Sequence, residues 1–184
     1  VGVGVVLLLI FAALFAEQIA PYDPLKVNLP SRLQPPSMIH PLGTDNLGRD
    51  ILSRIIYGAR IDLLISIIVI SIALLIGVTL GAFAGFFRGG IEAIIMRMVD
   101  ISLSIPYLLF AMAISAALGG GLQNTAIALI VPTMPVYARL MYGQVLMLSE
   151  NDYIEAARAL GKSNIGILAR HIIPVSYTHL RAHE

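Results

Sequence analysis

Residues 63–87 read LLISIIVISIALLIGVTLGAFAGFF, 25 residues without a charge. A helix needs about 20 apolar residues to cross a lipid core about 30 Å thick. This run therefore predicts one tilted membrane-spanning helix. The same reading extends outward on both sides. Residues 1–16 carry no charge, and residues 101–138 form a run of 38 without one. The longer run exceeds one span and suits two. Its natural break is Gly119-Gly120-Gly121, since glycines are poor helix formers and good turn formers. Spans are expected near 1–16, 63–87, 101–118 and 122–140, four in all.

Composition points the same way. Of the 184 residues, 58% are hydrophobic and 12% charged, where a soluble domain carries about a quarter charged residues. That is too little charge to coat a globule of this size. An ordinary cytosolic enzyme, a disordered chain and a nucleic-acid binder are excluded. The net charge of +1 implies no strong electrostatic partner. With no cysteine there is neither a disulfide framework nor a thiolate metal site. The first run has the length of a signal-peptide core. It lacks a basic n-region, however, and no small-x-small site falls cleanly after Phe15, so an uncleaved helix is expected. The chain starts at Val1 without an initiator Met, and its beginning is expected to be missing.

Connections between spans alternate sides, so 17–62 shares a face with the glycine triplet and 88–100 shares the other with 139–174. Lys and Arg should mark the cytoplasmic face. The counts are five (Lys26, Arg32, Arg49, Arg54, Arg60) against six (Arg88, Arg97, Arg139, Arg158, Lys162, Arg170). Charge alone leaves the orientation open.

Ala73, Gly77, Gly81, Gly85 and Gly89 recur every four residues and place a row of small residues on one helix face. Such a row lets another helix approach closely, and tight bundle packing is a simpler reading than a substrate pathway. Pro106 falls early in the third expected span, and Pro132 and Pro135 within the fourth. A gate and a harmless kink read alike here.

Residues 139–174 hold seven charges. At about 2.5–3.5 kcal/mol each they would cost roughly 17–25 kcal/mol at mid-bilayer, so the segment stays out of the lipid core. Ser149 can cap a helix, with Asp152 three residues on. Tyr153, Ala156, Ala157 and Leu160 then share one face. Gly161 suits the helix end, and Ser163 can cap a second helix that Pro174 stops. Two short helices about a glycine result. Their small, apolar face with Glu155 and Arg158 on its flanks suits a groove on another protein. A lipid-surface helix would carry a basic polar face and bulkier apolar residues.

Glu155-Ala156-Ala157, three residues, Gly161, nine residues, then His171-Ile172-Ile173-Pro174 resembles the EAA motif of ABC importer permeases. His171 stands for an apolar residue, as is common in the peptide and nickel branch, and Ile173 stands for Leu. His40-Pro41-Leu42-Gly43-Thr44-Asp45, Gly48-Arg49-Asp50 and Tyr57-Gly58-Ala59-Arg60 are similar to the segment before the second helix of dipeptide, oligopeptide and nickel C-type permease subunits. Arg97-Met98-Val99-Asp100 and Ile105-Pro106 also sit where that family has similar residues. The resemblance covers about residues 1–174.

It implies an all-α polytopic membrane bundle of the type I ABC importer fold, with four of about six helices present. It implies a bacterial inner-membrane permease subunit for peptides or nickel. The implied partners are a second homologous permease, two cytoplasmic ATPases, an extracytoplasmic solute-binding protein and membrane lipid, with no nucleic acid. ATP-Mg would be held by the ATPases, and no cofactor by this chain. In the family the EAA helices sit in a cleft of the ATPase and couple ATP binding to the flip of the permease. Carried over, Glu155 makes polar contacts there, Ala156 and Ala157 allow close approach, and Gly161 turns the chain. Tyr153, Arg158, Leu160 and Pro174 complete that element. The same comparison makes 139–174 cytoplasmic and 17–62 external.

The expected organisation is a first helix at 1–20, an extracytoplasmic segment at 21–60, a permease core at 61–174 and a tail at 175–184. Six prolines make 17–41 irregular and extended. Ile51, Leu52, Ile55, Ile56 and Ala59 predict an interfacial helix, either part of an outer gate or a membrane-surface anchor. The outer family motif comprises His40, Pro41, Gly43, Thr44, Asp45, Gly48, Arg49 and Asp50. No metal spacing is present among His40, Asp45 and Asp50; capping, and pairing with Arg49, is the simpler role. Arg97 and Asp100 read as interfacial anchors or an ion pair. Residues 156–163 fit a relaxed P-loop pattern but lack its strand–loop–helix setting. The polar tail after Pro174 fits no family pattern and looks like a foreign read-through. The chain is thus expected to be a fragment, unstable or inactive alone.

No catalytic residue is assigned. An intramembrane enzyme would need paired groups inside the spans, and none is seen. A non-transporting membrane scaffold or signalling protein remains the alternative.

Overall fold

The computed structural model describes residues 2–149; Val1 and 150–184 lie outside the described residues. The described residues are helical with no strand; one isolated antiparallel bridge joins Thr44 and Asp50. The chain divides between Ile67 and Ile68 into two compact units.

The first unit begins with α1 (Gly2–Leu14) and the single turn α2 (Ala16–Ile19). At about 1.5 Å per residue, the described part of α1 is about 20 Å long. An irregular stretch follows, holding one 3-10 turn at Leu29–Ser31. The unit closes with the start of α3, which runs unbroken over Ile51–Phe87 for 37 residues. That is about 56 Å of helix, nearly twice the lipid core. The amphipathic stretch 51–60 is thus continuous with the span. The charges of α3, Arg54, Arg60 and Asp62, stop where the uncharged run begins.

The second unit contains the rest of α3, then α4 (Gly90–Ser104), α5 (Tyr107–Leu118) and α6 (Leu122–Ser149). Its core is built from three helices. Val78, Ala82 and Phe86 of α3 meet Met141, Val145 and Leu148 of α6. Ala84 meets Met96 and Val99 of α4 and Ala138 of α6. Large apolar side chains elsewhere face outward, such as Leu108 at 70% and Met112 at 66% exposure. In water such a surface would be an association hazard, whereas lipid covers it without cost.

The bounds of the expected spans after the first need correction. Among the described residues two helices, α3 and α6, are long and apolar enough to cross, and α4 with α5 makes a third only if the pair is taken as one broken span. The expected helix at 101–118 is split at Ile105-Pro106, where the chain bends by 96°. Proline has no N–H to donate and forces the residue before it out of the helical region; Ile105 is extended at φ −91°, ψ 128°. The third crossing also starts earlier than expected, at Gly90, so Glu92, Arg97 and Asp100 lie within α4. Likewise α6 does not stop near residue 140 but continues to Ser149. Pro132 and Pro135 lie inside it without breaking it.

The order of contacts settles how the second unit threads. Gly77 adjoins Met134 to Ala138, Gly81 adjoins Ala138 and Met141, and Gly85 adjoins Tyr142 and Val145. Residue numbers rise together, so α3 and α6 run in the same direction. Arg88 lies by Ser149 at 3.4 Å, and the start of α6 is about 40 Å back along its axis. The chain between Arg88 and Leu122 must cover that distance. It does so in two steps: α4 follows α6 backward from Tyr142 to Pro135, and α5 continues from Thr133, which touches Tyr107, to Asn124, which bonds Leu118. The α4–α5 pair is one return crossing in two pieces. Gly119 and Gly121, at φ 81° and 124°, make the turn into α6.

Hydroxyls inside these helices close on their own backbone. Thr79, Ser102, Thr125 and Thr133 each donate to the carbonyl four residues back. This satisfies polar groups where lipid offers no partner.

Candidate functional site

Three arrangements stand out. The first gathers the outer motif at the N-terminus of α3. Asp50 is buried, and its Oδ2 accepts from Ser53 N at 2.8 Å and Ser53 Oγ at 2.7 Å. It thereby caps α3, satisfying an N–H that has no partner in the helix. Its Oδ1 lies 2.9 Å from His40 Nδ1. Ser53 Oγ also accepts from Tyr22 N at 3.1 Å, and the Tyr22 and His40 rings sit 4.9 Å apart. One buried carboxylate thus ties the extended stretch near Tyr22, the motif at His40 and the helix start together. Burial pushes the Asp50 carboxyl up, but the Ser53 donors and His40 outweigh it and hold it below the usual carboxylate range.

Asp45 organises the turn beside it. Its Oδ1 accepts from Leu47 N and Arg49 N, each at 2.9 Å. Its Oδ2 accepts from Arg49 Nε at 2.8 Å and from Arg54. Burial raises this carboxyl, yet the backbone donors and the Arg49 guanidinium bring it down to about 2. Thr44 is buried and bonds Ser31 O and Gln34 N. Gly43 and Gly48 have φ of 76° and 72° and touch the backbones of Gln34 and Asn28, leaving no room for a side chain. Pro41 lies in the same turn, two residues before Gly43. The motif residues therefore meet in space as a clasp on the segment 22–34. No group of three or more metal-type ligands occurs among the described residues.

The second arrangement is the glycine seam. A Cβ at Gly77 would fall 2.5 Å from Met134 O, and one at Gly85 2.9 Å from Val145 Cβ. A Cβ at Gly81 would overlap Ala138 O. Gly77, Gly81 and Gly85 thus bring α3 into backbone contact with α6. Gly89, the last of the row, is elsewhere: at φ 72° it starts α4.

The third was not visible in the sequence. Glu92 Oε2 accepts from Gly89 N at 3.2 Å and its Oε1 accepts the Tyr142 hydroxyl. Asp100 pairs with Arg139. The sequence placed Asp100 near Arg97, but its partner is on α6. The spacing of 50 residues between Glu92 and Tyr142 left no local signal. The expected coupling residues Tyr153, Glu155, Ala156, Ala157, Arg158, Leu160, Gly161 and Pro174 lie outside the described residues.

Residues 77–182 match the family described as the binding-protein-dependent transport system inner membrane component. The chain belongs to this family. Residues 1–36 of this permease chain also match the N-terminal TM domain of oligopeptide transport permease C. It is 42% identical over 176 residues to the glutathione transport system permease protein GsiD of Pectobacterium atrosepticum, covering 95% of this chain and 58% of that protein. It is 42% identical over 179 residues to the di/tripeptide transport system permease protein DppC of Pseudomonas aeruginosa, covering 94% and 59%. It is 39% identical over 169 residues to the probable D,D-dipeptide transport system permease protein DdpC of Escherichia coli, covering 92% and 57%. The chain spans under two thirds of the length of these relatives.

The glycine seam and the α4–α6 ties of this permease chain fall inside the 77–182 match, and the clasp at 40–50 falls between the two matched stretches. The longer match reaches residue 182 and takes in most of 175–184, the stretch expected to fit no family pattern.

Proposed function

We propose that the chain is a permease subunit of an ATP-driven, binding-protein-dependent importer of short peptides. The observation that carries this reading is 39–42% identity along more than nine tenths of the chain to permeases named for glutathione, di/tripeptides and D,D-dipeptides. All three cargoes are short peptides, so peptides take precedence over nickel. The family's own description supplies the dependence on a binding protein. The remaining partners are a second permease chain, completing the pathway, and two cytoplasmic ATPases that hold ATP-Mg.

In this reading α3, the α4–α5 pair and α6 form part of the pathway wall. The charged segment 139–174 faces the ATPases, and its Glu155-Ala156-Ala157 and Gly161 carry the contact. The clasp at 40–50 lies on the external side, where the binding protein delivers its cargo. The chain itself binds no cofactor and performs no hydrolysis.

The test is reconstitution of the full chain with its partner subunits in proteoliposomes, supplied separately with labelled glutathione, a dipeptide, a tripeptide and nickel. ATP-dependent uptake of a peptide, with peptide-stimulated ATPase activity that Glu155→Ala reduces, is expected. Uptake of nickel alone would overturn the choice of cargo. Absence of both uptake and ATPase stimulation would favour the scaffold reading.

A further inference from the structure

We propose that Glu92 and Asp100 are positioning residues that fasten α4 to the C-terminal half of α6, so that these helices move as one body in the transport cycle. This rests on the permease reading above. The two ties sit about two helical turns apart on α4. At one, Glu92 takes the Tyr142 hydroxyl while also closing the N-terminus of α4 through Gly89 N. At the other, Asp100 pairs with Arg139. Between them Met96 and Val99 pack on Ala138, with Ala84 of α3 behind. A helix held at two points and packed between them slides or rolls on its neighbour only if both ties and the packing between them open together.

The consequence lies at the ends. α6 leads into the charged segment proposed to meet the ATPase. α4 leads to Ile105-Pro106, where the helix is already interrupted and the Ile105 N–H reaches only Ser102 O, at 3.4 Å. Displacement of α6 is therefore passed to α4, and the change of angle falls at Ile105-Pro106. Hinges are a few element-terminal residues of this kind.

The test uses the full chain assembled with its partner subunits in proteoliposomes. The chain has no native cysteine, so Met98→Cys with Met134→Cys places the only two thiols of this chain on facing walls of one small cavity between α4 and α6. They are bridged by a short bis-methanethiosulfonate reagent that a reductant releases, and loss of both free thiols confirms the bridge. A rigid α4–α6 body predicts that bridging leaves peptide uptake within about twofold of the unbridged sample. Asp100→Asn should lower peptide uptake several-fold more than ATP hydrolysis, and the charge swap D100R with R139D should restore their ratio. Uptake abolished by bridging and recovered on reduction would overturn the inference, since α4 must then move over α6. So would an unchanged ratio in Asp100→Asn. An unbridged, unsubstituted complex without uptake would instead show that the permease reading fails.

Discussion

At the scale of single residues, the clasp at the start of α3 depends on positions where one backbone conformation or one charge is required. Gly48 combines φ 72° with contact against the Asn28 carbonyl. An added Cβ has to displace backbone, so Gly48→Ala should cost about 1–3 kcal/mol locally. The bonds Asn28 N to Leu47 O and Leu33 N to Asp45 O should open. Faster hydrogen exchange at the Asn28 and Leu33 amides checks this; unchanged protection would count against the clasp. Asp45 makes a second prediction. Its carboxyl sits at about 2 against an ordinary 3.8, so its folded value lies below its unfolded one. The stabilisation is fully present above about pH 4 and is lost as pH falls toward about 2. A spin label at the exposed Met38 should keep its mobility from pH 7 to 4 and loosen below. Asp45→Asn should show the loosened spectrum at pH 7.

At the scale of elements, the seam between α3 and α6 is the most demanding contact. Gly81→Val places a branched side chain where even a Cβ overlaps Ala138 O, and overpacking of this kind typically costs about 1–3 kcal/mol or more. Gly58→Ala, with open space around it, should instead stabilise α3 by up to about 1 kcal/mol. Thermal unfolding in detergent should move in opposite directions for the two. These elements also show what the sequence could reveal. The glycine row and the Gly119-Gly120-Gly121 turn were legible because both act through local chemistry, small size and left-handed backbone. The uncharged run at 63–87 was legible for the same reason. The break at Pro106 was visible as a residue but not as a helix end, because the length of the uncharged run argued for a continuous helix. The outcome was decided by Ile105 being driven into extended backbone. The capping role of Asp50 could be read from its place before an apolar helical pattern. Its link to Tyr22 through Ser53 could not, since the two lie 31 residues apart with irregular chain between. The α4–α6 ties were hidden likewise: Glu92 and Asp100 read as connection residues, whereas they lie within a helix that starts at Gly90.

At the scale of the whole molecule, the threading of the second unit has a direction. α3 and α6 run the same way, so the chain between them crosses back, and the α4–α5 pair is a span rather than a re-entrant loop. Gly90 and Gly120 test this most directly. Each has open space for a side chain and neither has a left-handed backbone, and the chain holds no competing thiol. In sealed vesicles of one orientation, Gly90→Cys and Gly120→Cys should react with a membrane-impermeant thiol reagent from opposite sides. The Gly90→Cys side should be the one that holds the ATPase subunits. Labelling of both positions from the same side would contradict the threading and the side assigned to the ATPases.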